Sequence, residues 1–473
     1  MKRRGIEPTI NTYLALLLGM SKIEDWKKNP VHLEKCHTIY AEYLERRQKF
    51  IGYDKSEDGR TGINDPLVFY VKILGDAGLF QKVFDVFYGL EESGAAAPDS
   101  KVYSAFFKAL AARKSIDESN GLTLSEQNAA DARLIWRRLE KDAEDNGVHV
   151  DAIVLSQVIS LLTRGRQSDH QLALEIIRKY CGLAEPGEVA EEPRIKLSGI
   201  LCTNILAFCN KTGRYRLCLN FNQQMDGLLK EDDPDMNNYR TNEKLAALGR
   251  LAALSALDES KQAVDAIKDL INESVIRYQK VQIAPKTYAL ALAVCWKCND
   301  WESACEIFDL ATGLQIEKFS DDGVITTGVE QCEKTPEEIP RNLYLIAWTH
   351  LARTALATGQ NKHMQQFLRA ASYVGVRLEM NSTLARGIHT DYYKYQFSHA
   401  IVGMWKSLKH GSKESQEWND NFVNKARKIL TDNRGHNKSW RIPEGEHKIL
   451  GSEKYLSKVS QSIEDEMYSR RNV

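Results

Sequence analysis

The sequence has no excess of either charge: 64 Lys and Arg are matched by 64 Asp and Glu over 473 residues. A protein that lives on phosphate contacts usually carries a basic excess. Any phosphate-binding surface here therefore has to be local and offset by acidic surface elsewhere. Proline is scarce, at 11 residues, and strand-like runs rich in Val, Ile and Thr are few, which argues against a β-protein. No apolar run approaches the length of a bilayer span, and no secretory leader is visible. Catalytic signatures are missing too: there is no P-loop, Gly-x-Ser-x-Gly, His-Glu-x-x-His or dinucleotide fingerprint. The 11 histidines are scattered. The pattern predicts a protein that is not an enzyme and needs no cofactor.

What is present is helical stripe. Hydrophobic residues make up 43 % of the chain, enough for a large core or an extended array. Pro285 to Leu310 shows the unit. Tyr288, Ala291, Leu292, Cys295 and Trp296 recur at i, i+3, i+4, i+7 and i+8, one apolar face at helical period. After Asn299-Asp300, Trp301, Ala304, Cys305 and Phe308 repeat the pattern. Pro285 sits where a helix can start, because its missing N–H has no partner there anyway. Two short amphipathic helices cannot bury their stripes alone and need copies of themselves alongside. The spacing predicts an all-α fold with Trp301 and Phe308 buried between helix pairs.

Copies exist. Pro8-Thr9-Ile10-Asn11-Thr12-Tyr13 and Pro98-Asp99-Ser100-Lys101-Val102-Tyr103 open two more. Leu201 to Met225 carries the inter-helix turn as Lys211-Thr212-Gly213-Arg214. Pro-Asp before a Tyr-led helix, a Lys-x-Gly-Arg-like turn and a second helix ending near Met resemble the pentatricopeptide repeat (PPR) family. The resemblance covers about two-thirds of the chain and implies an α-solenoid of helix-turn-helix repeats. Leu67 and Tyr103 are 36 residues apart, close to the family's usual repeat; later spacings are uneven. The array is therefore degenerate, expected over residues 1–379, followed by a helical C-terminal extension over 380–473 with a basic loop. Met1 to Pro8 resembles the tail of a repeat, so the chain is expected to begin inside one, leaving the apolar face of Ile10 to Met20 uncovered and any targeting segment upstream.

Along the chain, pairs are predicted at Leu67–Gly75 with Phe80–Leu90, at Tyr103–Leu110 with a long helix over about Glu126–Asp145, at Ile153–Leu162 with Leu172–Tyr180, and at Leu201 to Leu229. Further pairs are predicted at Leu245–Leu254 with Ala263–Tyr278, and at Leu343–Ala357 with His363–Val374. Leu183 to Pro193 reads as an acidic linker, Gln315 to Pro340 as an acidic loop, and Ala385 to His410 as one helix. Helices are also predicted over Phe422–Leu430 and on to about Met467.

In PPR proteins that read RNA, the resemblance implies that the residue after the Tyr position and another at the repeat's end face one base of a single strand, one base per repeat. Carried over, the first position is Leu14, Val68, Ser104, Ser156, Thr203, Ala289 and Thr349; the second is clearest at Asp99 and Asp151. Ser104 with Asp151 is the pair with the family's chemistry, a hydroxyl and a carboxylate on adjacent first helices. Leu14, Val68 and Ala289 depart from it, since they cannot hydrogen-bond a base edge. Asp99 and Asp151 are also ordinary helix N-caps. Arg164 and Arg214 lie in basic inter-helix turns, and the Arg434–Arg441 loop joins Arg434 and Lys438 to Trp440, the mixture of charge and stacking that single-strand binders use.

Cys295-x-x-Cys298 is half of a zinc motif with no second half at the right spacing, so no metal site is predicted. The nine cysteines read mainly as small buried hydrophobes of a reducing compartment. The resemblance implies a mitochondrial protein that binds single-stranded RNA in RNA processing, stability or translation. Its members with an added nuclease carry clustered aspartates there, and the C-terminal region lacks them. The alternative reading is a protein-binding scaffold, such as a member associated with the mitochondrial ribosome or its assembly, which neutral charge and apolar readout positions favour.

Overall fold

The computed structural model describes residues 7–50, 62–94, 96–114, 122–228, 234–254, 259–278, 283, 285–319, 341–374, 390–408, 416 and 418–432. Among them all regular structure is helical. The helices are α1 (Ile10–Met20), α2 (Pro30–Phe50), α3 (Asp65–Asp76), α4 (Phe80–Tyr88), α5 (Ser100–Ala112), α6 (Leu124–Asp145), α7 (Ala152–Leu162), α8 (Gln167–Cys181) and α9 (Gly199–Lys211). They continue as α10 (Tyr215–Leu228), α11 (Pro234–Leu254), α12 (Glu259–Tyr278), α13 (Pro285–Cys298), α14 (Trp301–Thr312), α15 (Arg341–Ala357), α16 (Asn361–Val374), α17 (Thr390–Ser407) and α18 (Asn424–Asp432).

Local chemistry sets the boundaries. Asp99, Asp151, Ser198 and Asp300 each accept a hydrogen bond from the backbone N–H three residues on, at 3.0, 2.8, 3.3 and 3.1 Å. Each thereby caps an otherwise unpaired donor of α5, α7, α9 and α14. Thr123 and Glu126 form a capping box that starts α6, two residues earlier than the charge pattern suggests. Inside four of the pairs the chain turns through one left-handed residue: Gly78, Gly213, Asn299 and Gly359, with φ of 76°, 76°, 55° and 67°. Glycine adopts that conformation without penalty and Asn tolerates it.

The chain forms two compact units, and the division passes through α10. In the first, α1, α3, α5, α7 and α9 pack side by side as one layer, and the even helices α2, α4, α6 and α8 pack against it. Each apolar stripe is thus buried by its partner and by the neighbouring pairs, as in a repeat stack. The α3–α5 approach is close enough that a Cβ on Gly75 would lie 2.8 Å from the Ala109 Cβ. Trp136 of α6 is buried, its indole edge-on to Tyr180 of α8 at 5.5 Å. Leu16 and Leu18 on α1 are 45 % and 40 % exposed.

In the second unit α11, α13, α15, α17 and α18 form the equivalent layer. Trp301 and Phe308 are buried, at 6 % and 0 %. Phe308 meets Trp348 of α15 edge-on at 4.9 Å, and Trp348 meets Phe367 of α16 at 5.6 Å.

Leu183 to Pro193 links α8 to α9, and its start is packed: Leu183 and Ala184 are buried, and the Gln224 side chain bonds both the N–H and the carbonyl of Ala184, at 3.1 and 2.9 Å. The helix expected over Ala385 to His410 is described as one helix over Thr390–Ser407; residues 385–389 and 409–410 lie outside the described ones. The boundary at residues 379 and 380, the greater part of the Gln315–Pro340 loop and the last predicted helix also lie outside the described residues.

Candidate functional site

The residue after each Tyr-equivalent position falls on an odd-numbered helix, at its fourth or fifth residue except for Thr349, the ninth residue of α15. Leu14, Val68, Ser104, Thr203 and Ala289 are all half-buried there, while Ser156 and Thr349 are buried. The register is therefore real, but most of the polar atoms it presents are already used. Ser104 Oγ accepts from Gln157 Nε2 of α7 at 3.0 Å. Asp151 caps α7 through one carboxylate oxygen and takes Ser100 Oγ of α5 on the other at 2.9 Å. Ser100 and Ser104 are one helical turn apart, so Ser104 and Asp151 do lie along one seam, that between α5 and α7. The seam engages both side chains with the protein.

Thr203, Thr349 and Asp99 behave similarly, whereas the Ser156 hydroxyl is buried without a hydrogen-bond partner among the described residues. Thr203 and Thr349 hydroxyls bond back to the carbonyls of Gly199 and Leu345 within their own helices, at 2.8 and 2.7 Å, as Ser and Thr commonly do in helix interiors. Asp99 is the cap of α5. Arg164 is exposed and Arg214 half-buried. Arg434, Lys438 and Trp440 lie outside the described residues.

Neighbouring charges are largely self-paired in the first unit. Arg113 binds Asp131 at 2.8 Å with both side chains about 10 % exposed or less, Arg166 binds Glu126 at 3.1 Å, and Arg133 binds Asp169 at 3.3 Å. Two large apolar side chains near the starts of α7 and α9 break the pattern: Ile153 and Ile200 are 59 % and 57 % exposed. Each sits two residues before its Tyr-equivalent position. Their identical register was the available sequence signal, hidden because a helix-opening Ile reads as part of the stripe.

The second unit differs in charge. Asp300, the cap of α14, is partly buried, which alone would raise its pKa; hydrogen bonds from Ser260, Ser303 and backbone N–H groups outweigh this and hold it below the usual range. Between α12 and α14 lies a cleft of about 750 Å³ lined by Asp265, Glu302, Glu306, Asp309 and Glu317 with Lys261 and Lys268. Lys268 is ion-paired with Glu306. Burial, then the nearby Glu306, raises the Asp309 carboxyl, against the lowering influence of Lys318.

Cys295 is buried and Cys298 half-buried. Burial pushes the Cys295 thiol well up and the Cys298 thiol to about 11. Among the described residues no group of three or more His, Cys, Asp or Glu side chains converges on a point, and no helix is long and apolar enough to cross a membrane.

No known protein family and no curated protein matches the chain. Among solved structures, the chain is similar to the pentatricopeptide repeat protein PPR10 in complex with an 18-nt psaJ RNA element. Identity is 13 % and the TM-score 0.28, over 96 % of this chain and 68 % of that one. A variant of PPR10 with three cysteines changed to serine, in complex with the same RNA element, gives the same values. At that TM-score the assignment of a helical-repeat fold rests on this chain's own helix pairs and layers.

Proposed function

We propose that the chain is a single-stranded RNA-binding helical-repeat protein of the PPR type, acting in mitochondrial RNA processing, stability or translation. The observation that carries the reading is the register. Positions following the Tyr-equivalent residue recur on odd helices, half-buried on α1, α3, α5, α9 and α13 and buried on α7 and α15, and the half-buried ones are where a strand would meet the repeats. The mitochondrial setting comes from the family resemblance. Because Ser104, Asp151, Thr203 and Thr349 are engaged by the protein itself, base discrimination is expected to be weak.

The same engagement favours a second reading, a scaffold that binds a protein partner such as a component of the mitochondrial ribosome. Binding of the purified chain to a randomised single-stranded RNA pool at two salt concentrations separates the two. Binding that weakens steeply with salt supports the RNA reading. No detectable binding at low salt removes it and promotes the scaffold.

A further inference from the structure

Helices α12 and α14 of the second unit pack against each other and both pack on α13. The cleft between them, of about 750 Å³, lies within the roughly 300–1,000 Å³ of ordinary ligand sites. Its lining has two parts. Val264 of α12, Cys305 of α14 and Ile316 of the turn after α14 are buried and form an apolar floor. Asp265, Glu302, Glu306, Asp309 and Glu317 form a rim with Lys261 and Lys268.

The rim is not balanced internally. Lys268 is taken by Glu306. Asp265, Glu302, Asp309 and Glu317 have no ion pair among the described residues. Three of these four are exposed, and Asp309 is half-buried. Burial, then Glu306, raises the Asp309 carboxyl against the lowering influence of Lys318, so a cation seated beside it would favour its charged form.

Cys305 is 3 % exposed. Its thiol is free, borders the cleft and has no hydrogen-bond partner among the described residues. Burial, then the carboxylates of Glu317, Asp300 and Glu302, raises its pKa, so a neutral, polarizable S–H lies at the bottom of a negatively charged opening. A neutral thiol between two apolar side chains suits a methylene stem, and the carboxylates above suit a cationic head. Arginine combines the two: its stem can lie on apolar surface, and its planar guanidinium presents a fork of donors to carboxylates. The sign of the rim repels a phosphate backbone.

We propose that the α12–α14 cleft docks an arginine-rich segment of a protein partner, with arginine stems on Val264, Cys305 and Ile316 and guanidinium groups among Glu302, Asp309 and Glu317. The inference goes beyond the RNA reading and does not depend on it.

The test uses the full chain and fluorescent octa-arginine, titrated by anisotropy over a range of salt, with octalysine and spermine as competitors. Glu302→Gln with Glu317→Gln, near-isosteric changes at exposed positions, should weaken octa-arginine about fivefold or more, since a single exposed ion pair is worth up to about fivefold. Glu45→Gln with Glu92→Gln removes the same charge at exposed positions of the first unit and should change affinity by less than about twofold. Octalysine should compete less well than unlabelled octa-arginine, because an ammonium lacks the planar fork. Carbodiimide coupling, which joins a Lys amine to a carboxylate, should place octalysine on peptides from 301–319.

Equal weakening in the two double variants would reduce the effect to net charge and overturn the assignment. So would the absence of octa-arginine binding at low salt, or coupling of octalysine only outside 259–319. Spermine that competes as well as octa-arginine, with the same loss in Glu302→Gln with Glu317→Gln, would assign the cleft to a small polyamine and overturn the protein partner.

Discussion

Replacement of Trp301 is the sharpest probe of how the second unit is held together. The side chain is 6 % exposed and does three separate things. Its indole fills the space between α14 and α16, it stacks on the His363 ring at 5.3 Å and 16°, and its Nε1–H donates to Gln366 Oε1 at 3.0 Å. Gln366 in turn donates to the Ile316 carbonyl at 3.1 Å, so the indole orients a buried amide that ties α16 to the turn after α14. Trp301→Ala removes the ring and should cost about 3–5 kcal/mol. Trp301→Phe keeps most of the buried area but strands Gln366 Oε1, and should cost roughly 1–3 kcal/mol. Because the chain has two compact units, a single unfolding midpoint mixes them. Amide hydrogen exchange of α14 to α16 reads the affected unit directly. Loss of protection should be large for Ala, smaller for Phe, and slight in α3 to α8. If Trp301→Ala left exchange and melting unchanged, the α14–α16 packing described above would be wrong. If Phe cost as much as Ala, the hydrogen bond rather than the ring would hold the junction.

Gly75→Ala tests the α3–α5 approach: alanine gains roughly 1 kcal/mol of helix propensity, but crowding Ala109 costs about 1–3 kcal/mol, so urea denaturation should show a net loss, and a more stable variant would mean the helices are not held this close. Asp151→Asn should leave thermal stability near wild type while Asp151→Ala costs about 1 kcal/mol, whether or not RNA is present; equal effects would show that the α7 cap contributes nothing. His37 Nε2 accepts from the Lys82 ammonium at 3.1 Å, which leaves Nδ1–H of the neutral ring to donate to the Tyr70 hydroxyl at 2.8 Å, and burial, then Lys82, lowers its pKa against the raising influence of Glu34. The folded state therefore resists protonation: the contribution of His37 is complete above the unfolded value of about 6.5 and is lost as pH falls through the lowered folded value. The stability of His37→Asn should accordingly decline less between about pH 7 and pH 5, and parallel curves for variant and wild type would refute the assignment.

How far the sequence carries the fold can be seen in single elements. Helix α1 occupies the Ile10–Met20 stretch that the stripe predicts, and the inter-helix turns at Gly78, Gly213, Asn299 and Gly359 follow from residue types that accept a positive φ. These features are local: a stripe, a cap and a turn are legible within a dozen residues. The burial of Trp301 and Phe308 follows from the stripe as well. Leu183 and Ala184 are different, because only the return of Gln224 from 40 residues on turns an acidic linker into packed chain. The candidate site fails to be legible for the same reason. Nothing within α5 says that Gln157, 53 residues later, will occupy the Ser104 hydroxyl.

Net charge is a whole-chain property and does not describe how charge is spread over single helices. Helix α14 carries Glu302, Glu306 and Asp309 with no cation, while α13 and α15 carry four cations with no carboxylate. The α14 carboxylates line a cleft with α12, whereas Lys297 and Arg353 lie against Trp296 in the odd-helix layer. Helix pairs place alternate segments of sequence in different layers, so a chain whose segments alternate in charge sums to zero and still presents surfaces of opposite sign. At physiological salt the Debye length is about 8 Å, shorter than the roughly 10 Å diameter of a single helix. Charges on this unit that lie more than about a helix diameter apart are therefore largely screened from one another.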